Sequence, residues 1–139
     1  MKRFLMAFAF LLSLARSAPL GAQQPGDDPL ARLLFPPELV MQHQADIGLK
    51  PEQRTTITHA IGELQGKVLD VQWRMQDAAA QLAALLGKPS VDQAAALAQV
   101  DEVLNLEREV KRAQLTLLIR IKNTLTAEQQ GKLDQYRKK

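Results

Sequence analysis

Between Ile57 and Leu85, apolar residues recur at alternating intervals of four and three: Ile57, Ile61, Leu64, Val68, Val71, Met75, Ala78, Leu82 and Leu85. Such spacing keeps one stripe on one face of an α-helix, and a stripe sustained this long predicts packing against a second helix at a shallow angle. Pro51 suits a first helical position, and no further proline appears until Pro89. A single helix over 51–86 would be about 50 Å long. Gly62 and Gly66 fall off the stripe, where they soften the helix rather than mark a close contact.

The segment "LLGKPSVDQ" then reads as a stop followed by a start. Gly87 is expected to end the long helix in a left-handed cap, and Pro89 bars continuation. Ser90 and Gln93 have the spacing of a capping box for the next helix. So short a turn makes that helix antiparallel to the first. It is expected to run to about Asn123, with Val100, Val103, Leu106, Val110, Ala113, Leu117 and Ile121 on its apolar side. Ahead of the pair, "LARLLF" reads as a short helix opened by Asp28-Pro29 and stopped by Pro36 and Pro37. "ELVMQHQADI" reads as a second short helical piece closed by Gly48.

One phrase occurs twice: "LKPEQ" from Leu49 to Gln53 and "LTAEQ" from Leu125 to Gln129. In the second, Thr126 is an N-cap, Gln129 completes a capping box, and Leu125 serves as a hydrophobic staple. It opens a last helix carrying Leu133 and Tyr136. In the first, Lys50 replaces the capping hydroxyl, so a weaker cap is expected. In an antiparallel hairpin both junctions fall at the same end, so the two phrases are expected to meet in space.

The N-terminus has a different character. Lys2 and Arg3 precede "FLMAFAFLLSLA", an apolar run too short to span a bilayer as a mature helix. Residues 1–22 therefore read as a signal peptide cleaved after Ala22, 23–33 as a flexible polar leader, and 34–139 as one helical domain. A retained anchor is the alternative, and Arg16 beside the apolar run argues against it. Export changes the charge argument. The chain holds 18 Lys+Arg and 15 Asp+Glu. Lys2, Arg3 and Arg16 leave with the signal and no acid does, so the exported chain is formally neutral. With one Trp and one Tyr besides, it lacks the basic, aromatic face of a nucleic-acid binder. No membrane insertion is expected after cleavage.

Chemistry is sparse. There is no Cys, hence no disulfide and no thiolate ligand. Beyond the signal the only Ser is Ser90, and the only histidines are His43 and His59, so a nucleophilic triad has no parts. No Gly-rich phosphate loop is present, and Glu107 and Glu109 alternate with Arg108 and Lys111 as on a solvated helix face. The chain does not read as an enzyme.

Two LTxxQ-like phrases flanking a long hairpin behind a signal peptide resemble the Spy/CpxP family of bacterial periplasmic proteins, with its CnrX and ZraP-like heavy-metal branch. The second phrase matches through Leu125, Thr126 and Gln129. The first matches through Leu49 and Gln53 and lacks the Thr. The resemblance implies an all-α fold: a long, bent antiparallel hairpin with short flanking helices, forming a curved homodimer in the periplasm. It implies an ATP-independent chaperone (holdase) or an envelope-stress regulator, binding unfolded or sensor proteins of the periplasm and needing no cofactor.

The alternative within the resemblance is a heavy-metal sensor that binds zinc, nickel, cobalt or copper. His59 and Glu63, four apart on one helix, and His43 across the Gly48 turn are its candidate ligands. The metal branch places a His and a Met four apart before its second motif, whereas Leu117 and Ile121 stand at those positions here. The candidate client or partner surface is "QLTLLIRI": Leu115, Leu118 and Ile119 exceed what one seam buries, and Arg112, Arg120 and Lys122 add positive charge.

Overall fold

A computed structural model describes residues 30–138. The expected signal peptide and leader residues 23–29 lie outside the described residues. The elements follow in the order 3-10 turn Ala31–Leu33, α1 Pro37–Gln42, α2 Pro51–Leu86, α3 Gln93–Thr124 and α4 Ala127–Arg137. The fold is all-α, with no strand among the described residues. Helices α2 and α3 are the antiparallel arms of a hairpin.

Every residue of the predicted 4-3 stripe on α2 is buried or half-buried, as is every predicted apolar position of α3. The seam forms two clusters. The larger contains Phe35, Val40, Ile47, Ile57, Ala60, Leu117, Ile121, Leu125 and Leu133. It fills the base of the hairpin, where the N-terminal segment and α4 cover the two arms. The smaller contains Val71, Ala78 and Leu106, flanked by Met75, Val103 and Val110, and belongs to the bare hairpin beyond. Gly62 and Gly66 face open space, and a Cβ added at either would meet nothing within 4 Å.

A row of charges lies along one side of the seam. Lys67 Nζ is 2.7 Å from Glu109 Oε2, Arg74 Nη1 is 3.2 Å from the same oxygen, and Arg120 pairs with Glu63. The Lys67 and Arg74 hydrogen bonds hold the Glu109 carboxyl below its ordinary pKa, and the Arg120 hydrogen bond does the same for Glu63. These pairs lie in contact with solvent, so each adds little to stability and serves mainly to fix the register of the arms. Nearer the tip, Gln99 Nε2 donates to the Ala78 carbonyl at 3.1 Å.

Three local expectations are corrected. Gly87 is right-handed, at φ −74° and ψ −7°, so Pro89 ends α2. Proline cannot continue the bond ladder, and it disfavours helical backbone at Lys88 before it. The left-handed glycine is Gly48, at φ +63°. The cap of α3 is Asp92, whose Oδ1 accepts from Ala95 N at 3.0 Å, and not Ser90. A carboxylate both accepts this bond and favours the positive end of the helix dipole. Finally, "LARLLF" closes only the 3-10 turn. Pro36 forces Phe35 out of the helical region, and Phe35 enters the core instead.

Candidate functional site

The two repeated phrases meet at the base, and their glutamines form a reciprocal clamp. Gln53 Nε2 donates to Gln129 Oε1 at 2.9 Å, and Gln129 Nε2 donates back to Gln53 Oε1 at 2.9 Å. Each oxygen also accepts from the N-cap amide of its own helix, Lys50 N at 3.0 Å and Thr126 N at 2.9 Å. Each amide nitrogen also donates to a carbonyl five residues before the other glutamine, Thr124 O at 2.7 Å and Gly48 O at 3.3 Å. The arrangement is a local pseudo-two-fold. A backbone N–H and a backbone carbonyl bracket each side chain, which fixes the orientation of both amides.

The clamp explains why the phrase is written twice. Gln129 is buried yet all its side-chain hydrogen-bonding groups are used, so the cost of taking its amide out of water is offset. Leu125 is buried against the base core and Leu49 packs beside it. Thr126 Oγ1 accepts from Gln129 N at 3.2 Å, completing a capping box. At α2 only half the box exists, because the Lys50 ammonium has no lone pair to accept with. Sequence reasoning missed the next residue, Gln130. Its amide donates to the Lys122 and Leu125 carbonyls at 3.0 and 3.1 Å, capping the end of α3. The second Gln of "EQQ" was the available signal.

The base is further tied to the N-terminal segment. Lys122 Nζ donates to the Leu33 carbonyl at 2.8 Å, and Arg137 donates to the Arg32 carbonyl. The Arg137 guanidinium lies 4.7 Å from the Phe35 ring centroid. His43 stacks on Tyr136, centroids 3.7 Å apart, and its Nδ1 is 3.1 Å from Asp46 Oδ2. Desolvation, followed by the Asp46 charge, pushes the Tyr136 hydroxyl pKa up.

The candidate metal ligands are thus dispersed. His43 is held by Asp46 and Tyr136, while His59 is exposed and 3.1 Å from Glu63, which also binds Arg120. Among the described residues no three His, Cys, Asp or Glu side chains gather as a metal group would require.

The candidate partner surface divides. Leu117 and Ile121 enter the core and Leu118 is half-buried, whereas Leu115 and Ile119 remain 49% and 43% exposed. Arg120 and Lys122 are engaged within the fold. Arg112 is exposed, and so are Arg108 and Lys111 beside it. Leu97 and Leu104 extend the apolar row along the same outer edge of α3, facing away from α2. On the outer edge of α2, Leu69 and Trp73 are exposed as well. Sequence reasoning missed Leu97, Leu104, Leu69 and Trp73. Their signal was apolar character at positions off the 4-3 stripe.

Among the described residues no helix is long and apolar enough to cross a membrane. The molecule is a helical hairpin locked at one end, with apolar residues exposed along its outer edges. The family model described as heavy-metal resistance matches residues 4–132, and the chain belongs to that Spy/CpxP-like family. Comparison with curated proteins and with solved structures gives no match.

Proposed function

We propose that this member of the heavy-metal resistance family is a periplasmic, non-catalytic protein-binding module that acts as an ATP-independent holdase. The observation that carries the reading is the outer edge of α3. Leu104, Leu115 and Ile119 are exposed there beside Arg108, Lys111 and Arg112, and no ion pair among the described residues engages these three cations. An apolar row bordered by free positive charge suits unfolded segments that are apolar and neutral to acidic. Leu118, Arg120 and Lys122 are at most the margin of this surface. A homodimer would set two such edges in one assembly. Docking to an envelope-stress sensor would use the same chemistry.

The test is suppression of aggregation of a denatured client, without ATP, at near-stoichiometric ratio. Wild type is expected to protect, and Ile119→Asp with Leu115→Asp to lose protection while keeping the helical circular dichroism. A wild type that protects no client refutes the holdase reading.

A second reading, metal-responsive regulation, draws support from the family description and from the exposed His59–Glu63 pair. Against it, Glu63 would have to surrender Arg120, and His43 would have to leave Asp46 and Tyr136. Calorimetric titration with zinc, nickel, cobalt and copper separates the readings. Stoichiometric binding abolished by His59→Ala favours the regulator.

A further inference from the structure

Residues 30–35 are held against the base as a bound peptide is held. The side chains of Leu30, Arg32 and Leu33 are exposed, the two leucines at 65% and 59%, and Phe35 is the buried anchor. The grip comes from two cations on other elements. Lys122 of α3 donates to the Leu33 carbonyl at 2.8 Å, and Nη1 of Arg137 on α4 donates to the Arg32 carbonyl. The same guanidinium lies over the Phe35 ring, 4.7 Å from its centroid, and the ring enters the base core. Both bonds read main chain, which any sequence offers. Specificity falls to the one pocket that takes a side chain, and it takes an aromatic ring.

One donor of this grip has nothing to hold. Arg137 Nη2 is buried and has no hydrogen-bond partner. Asp134 Oδ1 stands 4.0 Å from Nη1, outside hydrogen-bond distance, and leaves Nη2 bare. A buried donor left unanswered is costly. A guanidinium with one nitrogen bonded and the other bare presents half of the fork that a carboxylate fills. Phe35 runs on into Pro36, so the chain itself sets no charge at this point. A segment that ended at its aromatic residue would carry a carboxylate beside its own ring, within reach of a guanidinium stacked on that ring.

We propose that the pocket formed by Lys122, Arg137 and the Phe35 cavity is a peptide site, that residues 30–35 fill it as a tethered stand-in, and that its partner is a protein chain ending in an aromatic residue with a free carboxylate. The exchange replaces one ring by another and adds a charge-assisted bond to Nη2. The site uses none of Leu104, Leu115, Ile119 or the cations beside them, so it stands apart from the holdase reading.

Phe35→Ala in the full-length protein empties the ring pocket and supplies the test. The probes are the labelled peptide LARLLF with a free C-terminal carboxylate, the same peptide amidated, and amidated LARLLFPP. By fluorescence anisotropy the acid should bind the Phe35→Ala protein, and both amides should bind roughly tenfold or more weakly. Adding Arg137→Gln should erase the difference between acid and amide. Wild type should bind the acid about tenfold or more weakly than Phe35→Ala does, because the tethered segment competes for the pocket. Should Phe35→Ala lose its helical circular dichroism, wild type carries the test. Saturating acid peptide should then speed hydrogen exchange of the Leu33 amide, which donates to the Leu30 carbonyl, and leave amides 129–134 protected. Acid and amides that bind alike, a preference for the acid that survives Arg137→Gln, no binding to either protein, or unchanged Leu33 exchange at saturation would each overturn the proposal. LARLLFPP binding as tightly as the acid would overturn it too, and would assign the pocket to the same segment of a second copy.

Discussion

The base and the tip of the hairpin are built on the same 4-3 seam and end with very different cores. At the base, Ile57, Leu117 and Ile121 join Phe35, Val40, Ile47 and Leu133, supplied by the N-terminal segment and α4. Beyond Val71 and Leu106 the arms have only each other. Alanines occupy the contact at Ala78 and Ala96, Leu82 and Leu85 are half-buried, and Leu86, Val91 and Leu97 are exposed. A heptad stripe thus orients a helix, but what covers the hairpin decides how much each apolar residue contributes. Two helices alone leave their outer faces to solvent. A third and fourth element, fixed by the glutamine clamp, turn one end into a closed core. This division suits a binder: the base holds the fold, while the outer edges keep their apolar residues accessible.

The largest break in the comparison should come from Leu133→Asp. Leu133 is fully buried and its substitution sets an unpaired charge in the base core. The variant should lose most of its cooperative thermal transition by circular dichroism, whereas Leu86→Asp at the tip should leave the transition near wild type. Next is the waist. Leu106→Ala removes the fully buried centre of the smaller cluster and should cost about 2–5 kcal/mol in denaturant unfolding. The clamp comes third. Gln129→Ala leaves the Thr126 amide and the Gly48 carbonyl without their side-chain partner and takes both inter-amide bonds from Gln53, and should cost about 1–3 kcal/mol. Gln53→Ala together with Gln129→Ala should cost less than the sum of the single changes, since either change alone already removes both bonds between the two amides. Additive effects would show that the pairing is incidental.

The smallest effect is acid. Glu63 and Glu109 titrate below their ordinary value of 4.5 in the folded chain, through hydrogen bonds from Arg120 and from Lys67 and Arg74. Their contribution is therefore present above that value and lost as pH falls through the lowered folded values. Glu109→Gln should flatten the midpoint-versus-pH curve below pH 4.5 while changing little at neutral pH.

Much of this was legible in the sequence, and the illegible part has a physical pattern. Helix α2 was readable to its ends because Pro51 and the Gly-Lys-Pro stop are local signals. The seam was readable because period is a property of one chain segment. The cap of α3 was misplaced because Ser90 and Asp92 both qualify locally, and backbone geometry chooses between them. The motif residues Leu49, Gln53, Leu125, Thr126 and Gln129 were visible as caps, and the antiparallel topology brought their two phrases to one end. The amide exchange between Gln53 and Gln129 was not visible, since a glutamine's partners in another element leave no trace in its own neighbours. The engagement of Arg120 with Glu63 and of Lys122 with Leu33 was hidden for the same reason.

Residue-resolved hydrogen exchange of the folded protein tests the division most directly. Amides of 57–64, 114–125 and 129–134 should exchange only through global unfolding, with free energies equal to the stability from denaturant melts. Amides of 78–86 and 93–100 should exchange much faster, through local opening of the tip. Equal protection along both arms, or a tip better protected than the base, would contradict the account.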